Sequence, residues 1–201
     1  MVHGRIERTQ GRGTFVARPK IVLVRQLTSF AQDLQAQGGN PSSRILKISR
    51  ETAGPELCEH LDASPGSTVH RVERLRCESQ ETIAHEIADV VGALPRLRAE
   101  LELRGSLYQT LREVYGITLV AVEDVVGTSV ASPVEAALLE VDTGLPMLLV
   151  HRTAWDSTRH RAEWTRSVFR GDRFRFVARN QLGDVAAAGH GGSLEAAEQA
   201  S

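Results

Sequence analysis

Residues 69–91 constrain the fold of this chain more than any other stretch. From Val69 to Glu78 the side chains alternate with period two. Val69, Arg71, Glu73, Leu75 and Cys77 share one face, and His70, Val72, Arg74, Arg76 and Glu78 share the other. That is a β-strand, and neither of its faces is purely apolar, so one of them is expected to line a polar cavity. "ETIAHEIADVV" suits a second strand folding back on the first.

The rest of the chain repeats this grammar. A strand is expected over 42–50 and a long one over 117–130, with the last strands in "LPMLLVHRTAWDS" and "RAEWTRSVFRGDRFRFVA". Short helices are spliced between them. One opens at Pro55, where proline suits the first turn, and ends near Leu61. Ser106 with Gln109, and Ser132 with Glu135, have the spacing of capping boxes, opening helices that end at Tyr115, before Gly116, and near Leu139. A short helix is also expected over 29–37, between Thr28-Ser29 and Gly38-Gly39. Near the start, Arg5–Thr9 and Thr14–Ala17 flank Gln10-Gly11-Arg12-Gly13 and predict a β-hairpin. The tail from Gly183 is Ala, Gly, Ser and Glu without a packing pattern and is expected to stay disordered. Strands dominate, so the fold class is α+β with an antiparallel sheet flanked by short helices.

At 201 residues, with 41% hydrophobic and 24% charged side chains, the chain can bury about 70% of its unfolded surface in a globular core. Its two cysteines, Cys58 and Cys77, exclude a disulfide framework and a four-cysteine zinc site and suit a reducing cytoplasm. No apolar run approaches the length of a membrane span, and the start has no apolar stretch of the kind a signal peptide needs. The net charge of −1 hides an asymmetry. Residues 1–20 carry Arg5, Arg8, Arg12, Arg18 and Lys20 against Glu7 alone, while the remainder holds 19 basic and 24 acidic residues. A basic head on a mildly acidic body is the layout of a nucleic-acid contact joined to a different function.

Several segments, in order and spacing, resemble one family. "ERTQGRGTFVARPK" resembles the wing of the winged helix-turn-helix domain of GntR-type bacterial transcription regulators. From about Leu23 to Leu182, "LTSFAQDL", "VERLRCES", "AHE", "SLYQTLREVYGI", "PVEAALLEVDTGLPMLLVHRTAWD" and "AEWTRSVFRGDRFRF" resemble the UTRA effector-binding domain of the HutC branch. The resemblance implies a chorismate-lyase-like fold, a homodimer, operator DNA as a partner and a small-molecule effector as the switch, with no cofactor and no metal. It divides the chain into a wing remnant (1–20), a UTRA domain (21–182) and a tail (183–201). The family's three DNA-binding helices precede the wing, whereas here Met1 stands almost at it. The wing residues Arg8, Gln10, Gly11, Arg12, Gly13 and Thr14 can supply salt-dependent phosphate contacts, but base readout needs a recognition helix. The chain as written is therefore expected to bind DNA weakly and without sequence preference.

The resemblance aims Arg74 and Arg76 at the effector. Two apart, they share a strand face, and their planar guanidiniums suit a carboxylate or phosphate. A surface ion pair with Glu73, Glu78 or Glu81 is the plainer alternative. Glu86 and Glu163 match acidic positions of the same cavity, where carboxylates accept hydroxyl or amine donors; a salt bridge to Arg74 or Arg76 would explain them equally well. Ser106 and Tyr108 belong to the "SLY" motif, although a capping role already accounts for Ser106. Ser29 and Phe30 open a helix that the family can close over an anionic group. Phe169 stands where many members carry a tyrosine, so one ligand hydrogen bond is lost. Gly171-Asp172-Arg173 reads as a turn with an internal ion pair.

An enzyme is disfavoured. His85-Glu86 and His151 fit no HExxH or HxH spacing, no GxSxG elbow is present, and "GRGTF" lacks the ending of a phosphate loop. Neighbours in a strand face opposite ways, so His85 and Glu86 cannot serve one site. No catalytic residue is assigned. Three readings remain: the sensor of a transcription regulator, a head-less UTRA protein that binds ligand or pairs with an intact paralogue, and a lyase-like enzyme. The charged inventory favours a polar, anionic effector such as a phosphosugar or small carboxylic acid.

Overall fold

A computed structural model describes residues 5–9, 13–17, 21–24, 34, 35 and 38–177, with side chains at 34, 35 and 38–176. The N-terminal hairpin forms from β1 (Arg5–Thr9) and β2 (Gly13–Ala17), with Arg8 opposite Thr14 and Thr9 opposite Gly13. β3 (Ile21–Val24) follows, an element without an expectation in the sequence reading. Of the helix expected over 29–37, Leu34 and Gln35 are helical and the positions before Leu34 lie outside the described residues. The tail beyond 177 also lies outside them.

The main sheet is built from β4 (Pro41–Thr52), β5 (Thr68–Glu78), β6 (Glu81–Val91), β7 (Leu119–Val130), β8 (Pro146–Asp156) and β9 (Arg161–Arg170). Their order is β4-β5-β6-β9-β8-β7, and every neighbouring pair is antiparallel. The α+β antiparallel architecture expected from the alternating strands is therefore what forms. One pairing departs from it. β10 (Phe174–Val177) lies parallel to β3, so the last described strand grips the segment that follows the hairpin. Only glycine fits at the turn before β10, because a Cβ on Gly171 would lie 2.4 Å from the Pro146 carbonyl oxygen.

Helices cover both faces of the sheet. α1 (Pro55–Leu61) has proline in its first turn, and α4 (Pro133–Leu139) has a complete capping box, with Ser132 accepting from the Glu135 N–H and the Glu135 carboxylate accepting from the Ser132 N–H. α3 (Leu107–Tyr115) has half a box: Ser106 Oγ accepts from the Gln109 N–H, but the Gln109 side chain donates to Glu113 instead of reaching back. α2 (Leu97–Arg104) is absent from the sequence reading. Its N-cap is Arg96, in the left-handed region and without a side-chain cap, so the usual start signal is missing. It forms because Leu94, Leu97 and Leu101, at helical spacing, are buried against Leu107 and Leu111 of α3 and Val72, Ala88 and Val90 of the sheet.

α2 and α3 cover one end of the face that carries Arg74 and Glu86. The other end of that face is closed by Leu34, Phe169 and Phe174 packed with Ala84 and Val150. The opposite face packs on α4 through Leu75, Cys77 and Val168, and on α1 through Val69 and Trp164. Cys58 and Cys77 are free and buried. No helix among the described residues is long and apolar enough to cross a membrane.

Candidate functional site

Period-two alternation and the sheet register place a band of polar side chains between those two apolar ends. Arg74 stands opposite Glu86, Glu86 opposite Ser167, Ala88 opposite Thr165, Thr165 opposite Arg152, and Arg152 opposite Asp124. All lie on one face. Arg74 is 1% exposed and Glu163 2%; Arg76, Glu86, Thr165 and Ser167 are also buried.

Glu86 is held by both arginines. It accepts from Arg74 Nη2, from Arg76 Nε at 3.1 Å and from Arg76 Nη2 at 2.9 Å. Burial alone would raise the Glu86 pKa, but the Arg76 and Arg74 guanidiniums outweigh it and hold the carboxyl at about 2. Arg76 Nη1 also donates to Ser43 Oγ at 2.8 Å. Burial and repulsion from Arg76 push the Arg74 pKa down, and Glu86 partly restores it. Arg152 makes a two-pronged pair with Asp124 at 2.7 and 2.9 Å. The Tyr108 hydroxyl stands between Arg152, which donates to it, and Glu163, which accepts from it. Burial and the nearby Glu86 charge push the Glu163 pKa up.

Four buried atoms of this band find no hydrogen-bond partner: Arg74 Nε and Nη1, Glu163 Oε2 and Thr165 Oγ1. An unmet buried donor or acceptor costs about 1–3 kcal/mol, more where charge is involved, so four on one face demand a reason. A cavity of about 190 Å³ opens beside Arg74, lined by Ser43, Ile45, Arg74, Leu101, Glu102 and Gly105. The face thus offers two N–H donors on one guanidinium together with acceptors on a carboxylate and a hydroxyl. Such a set fits a molecule that carries oxygen acceptors and an O–H or N–H donor close together.

The expected residues fall into three groups. Arg74, Arg76, Glu86, Tyr108 and Glu163 converge in the band. Phe169 lies on the same face in the next row, opposite Ala84, with its ring centroid 4.7 Å from that of Phe174. Ser106 stands at the start of α3, its hydroxyl engaged as the cap. Ser29 and Phe30 lie outside the described residues, as do Gln10, Gly11 and Arg12 of the hairpin turn. Arg74 and Arg76 both bond Glu86, inside the fold. His85 and Glu86 do face opposite ways, and His85 pairs with Glu73 at 2.9 Å. In the turn, Asp172 pairs with Arg170 and Arg173 with Glu81.

Ser43, Asp124, Arg152, Thr165 and Ser167 were not anticipated. Thr165 and Ser167 had a readable signal, since they share the period-two face of Glu163. Arg152 and Asp124 had none, because only the β7–β8 register brings them together.

Comparison with known proteins agrees with this fold. The family model described as "UTRA domain" matches residues 36–175. The transcriptional repressor NagR of Bacillus subtilis is 31% identical over 175 residues, covering 87% of this chain and 72% of the relative. The histidine utilization repressor of Pseudomonas putida is 30% identical over 178 residues, covering 88% and 71%. The crystal structure of PhnF from Mycobacterium smegmatis superposes with a TM-score of 0.78 at 32% identity, covering 89% of this chain and 79% of that one. The chain belongs to the UTRA-domain family of GntR-type transcription regulators, and its six-stranded sheet is the effector-binding fold of that family.

Proposed function

We propose that residues 21–182 sense a small, polar, anionic metabolite, such as a phosphosugar or a small carboxylic acid, for a regulator that represses transcription. The observation that carries this reading is the set of unmet buried groups on Arg74, Glu163 and Thr165 of one sheet face, with a cavity beside Arg74. An oxyanion docks on the free edge of the Arg74 guanidinium. Glu163 and Thr165 then accept donors from the same molecule. Glu86 holds Arg74 in place and is itself held by Arg76, which donates to Ser43. The names of the relatives as repressors support the direction of the response, and operator DNA and a homodimer are part of the same reading.

The cavity is small beside the roughly 300–1,000 Å³ of typical ligand pockets. Binding therefore requires the cover over the face to move. That cover includes Leu34 and Phe174, packed against Phe169 of the sheet, and Phe174 begins the strand paired with β3, directly after the hairpin. Ligand contact that favours one position of this cover biases the hairpin with it, and the differential contact is what couples the two.

A thermal-shift screen of sugar phosphates, amino-sugar phosphates, urocanate and other small acids tests the proposal. A ligand at a hundred times its Kd adds about 2.7 kcal/mol, roughly 5–11 °C for a chain of this size. The shift is expected to vanish in Arg76→Ala while the fold persists. An unchanged response in that variant places the site elsewhere.

A further inference from the structure

Charge is concentrated where β9 ends. Arg170 closes β9, Arg173 stands just before β10, and Gly171 and Asp172 lie between them. Arg170 pairs with Asp172 at 2.7 Å. Both arginines also reach Glu81, Arg170 at 3.1 Å and Arg173 at 2.8 Å. Glu81 begins β6, at the tip of the hairpin whose strands carry Arg74, Arg76 and Glu86. Arg173 is 9% exposed, and its Nε finds no partner. A buried guanidinium is costly unless it is paired, so the bond to Glu81 is what keeps Arg173 inside. The turn is anchored to the sheet on its other side. The Gly171 N–H donates to the Pro146 carbonyl at 3.2 Å. Beyond this anchor the hold is slight. β10 has four residues, its only ladder among the described residues is with the four-residue β3, and that ladder is parallel, the weaker kind. Phe174, 4% exposed, packs with Leu34 and Phe169. Short segments with so little burial open locally before the rest of a fold does.

We propose that Glu81 is a latch: through Arg173 it holds β10 down over the face that carries Arg74, and its release lets β10 and β3 lift as one unit and open that face to a ligand. This rests on the reading that the cover over the face must move. Glu81 is a positioning residue, since it acts through Arg173. Asp172 keeps Arg170 paired whether the latch is shut or open, so only the Arg173–Glu81 bond has to break. The same carboxylate stands on the hairpin of the effector arginines, so a shift of that hairpin on binding is felt directly at β10 and at β3, the segment that follows the N-terminal hairpin. A two-state contact shared by the site and the strand it releases is the physical requirement for coupling the two.

Amide hydrogen exchange on the full chain, with no ligand added, tests the latch. Glu81→Gln keeps the shape of the side chain and removes its charge. It is expected to speed exchange of the amides of Ile21–Val24 and Phe174–Val177 at least about tenfold, while those of β5, β8 and β9 keep their wild-type rates. Adding Arg173→Met removes the stranded charge and keeps an apolar stem in its place. Exchange in this double variant is expected to return to within about threefold of the wild type, because a buried pair replaced whole costs far less than a pair broken. Unchanged exchange at β3 and β10 in Glu81→Gln overturns the proposal, and so does a rise spread equally over every strand. A double variant as fast as Glu81→Gln overturns the role of Arg173. If Glu81→Gln does not fold, Glu81→Asp, one methylene shorter, takes its place, and absence of faster exchange at the same amides overturns the latch. No effector enters these measurements, so a failed effector screen leaves a positive result standing, and a negative one overturns the latch whatever the screen finds.

Discussion

The two faces of the one sheet use the same residue types to opposite ends. On the face packed against α1 and α4, charges are spent on structure. Arg71 binds Asp89 at 2.8 Å and Glu51 at 3.0 Å, Arg166 binds Glu135 at 3.0 Å, and His60 stacks on Trp164 with centroids 4.5 Å apart. The buried atoms left unmet there are His85 Nδ1 and Ser129 Oγ. On the face packed against α2 and α3, Glu86 is over-supplied with cations while Arg74, Glu163 and Thr165 keep unmet groups, Arg74 beside a cavity. A buried charge is therefore not a functional signal in itself.

The largest break in this contrast should come from Glu86→Ala. It strands two buried guanidiniums, and losing one partner of a buried pair costs about 3–5 kcal/mol. Chemical denaturation should show a loss of that order, and a loss under 1 kcal/mol would mean that Glu86 is no keystone. The same group sets an acid limit. Its folded pKa, about 2, lies below the unfolded value of 4.5, so its contribution is present above about 4.5 and is lost as pH falls towards 2. Stability measured from pH 6 to pH 2 should fall more steeply in the wild type than in Glu86→Ala.

On the other face, Glu135→Ala removes the α4 capping box and the Arg166 partner. About 1–2 kcal/mol should go, with no change in effector affinity, because these groups lie on the face of the sheet opposite Arg74. Any loss of affinity there would couple the two faces. Glu163→Gln has the opposite sign. The raised Glu163 pKa means that the fold disfavours its charge, a cost absent at low pH and growing as pH rises through the folded pKa. The variant should therefore melt at or above the wild-type temperature at neutral pH, yet respond more weakly to ligands.

The finest probe is Thr165→Val, which deletes an unmet hydroxyl at nearly constant volume. Stability should stay within about 0.5 kcal/mol of wild type or rise slightly, while effector affinity falls. Unchanged affinity would remove Thr165 from the site.

Much of this was legible in the residues. Alternation marked the long strands because each side chain's face follows from position alone. The capping serines and first-turn prolines marked α1, α3 and α4. Arg74, Arg76, Glu86 and Glu163 were legible as candidates, the arginines because they sit two apart on a strand whose faces are not purely apolar. α2 was not legible, since Arg96 gives no capping signal and only burial of Leu97 and Leu101 stabilises it. The parallel β3–β10 pair was not legible either, because its partners are some 150 residues apart and no local periodicity encodes the pairing.

The sequence by itself determined the strands, the caps, the basic head and the family, because these are local patterns or ordered combinations of them. The tertiary structure decided which charges neutralise one another and which keep unmet groups. Local pattern puts Arg74 and Arg76 on one face; only the sheet register brings Glu86, Ser167, Thr165, Arg152 and Asp124 alongside, and only burial makes their unmet bonds costly.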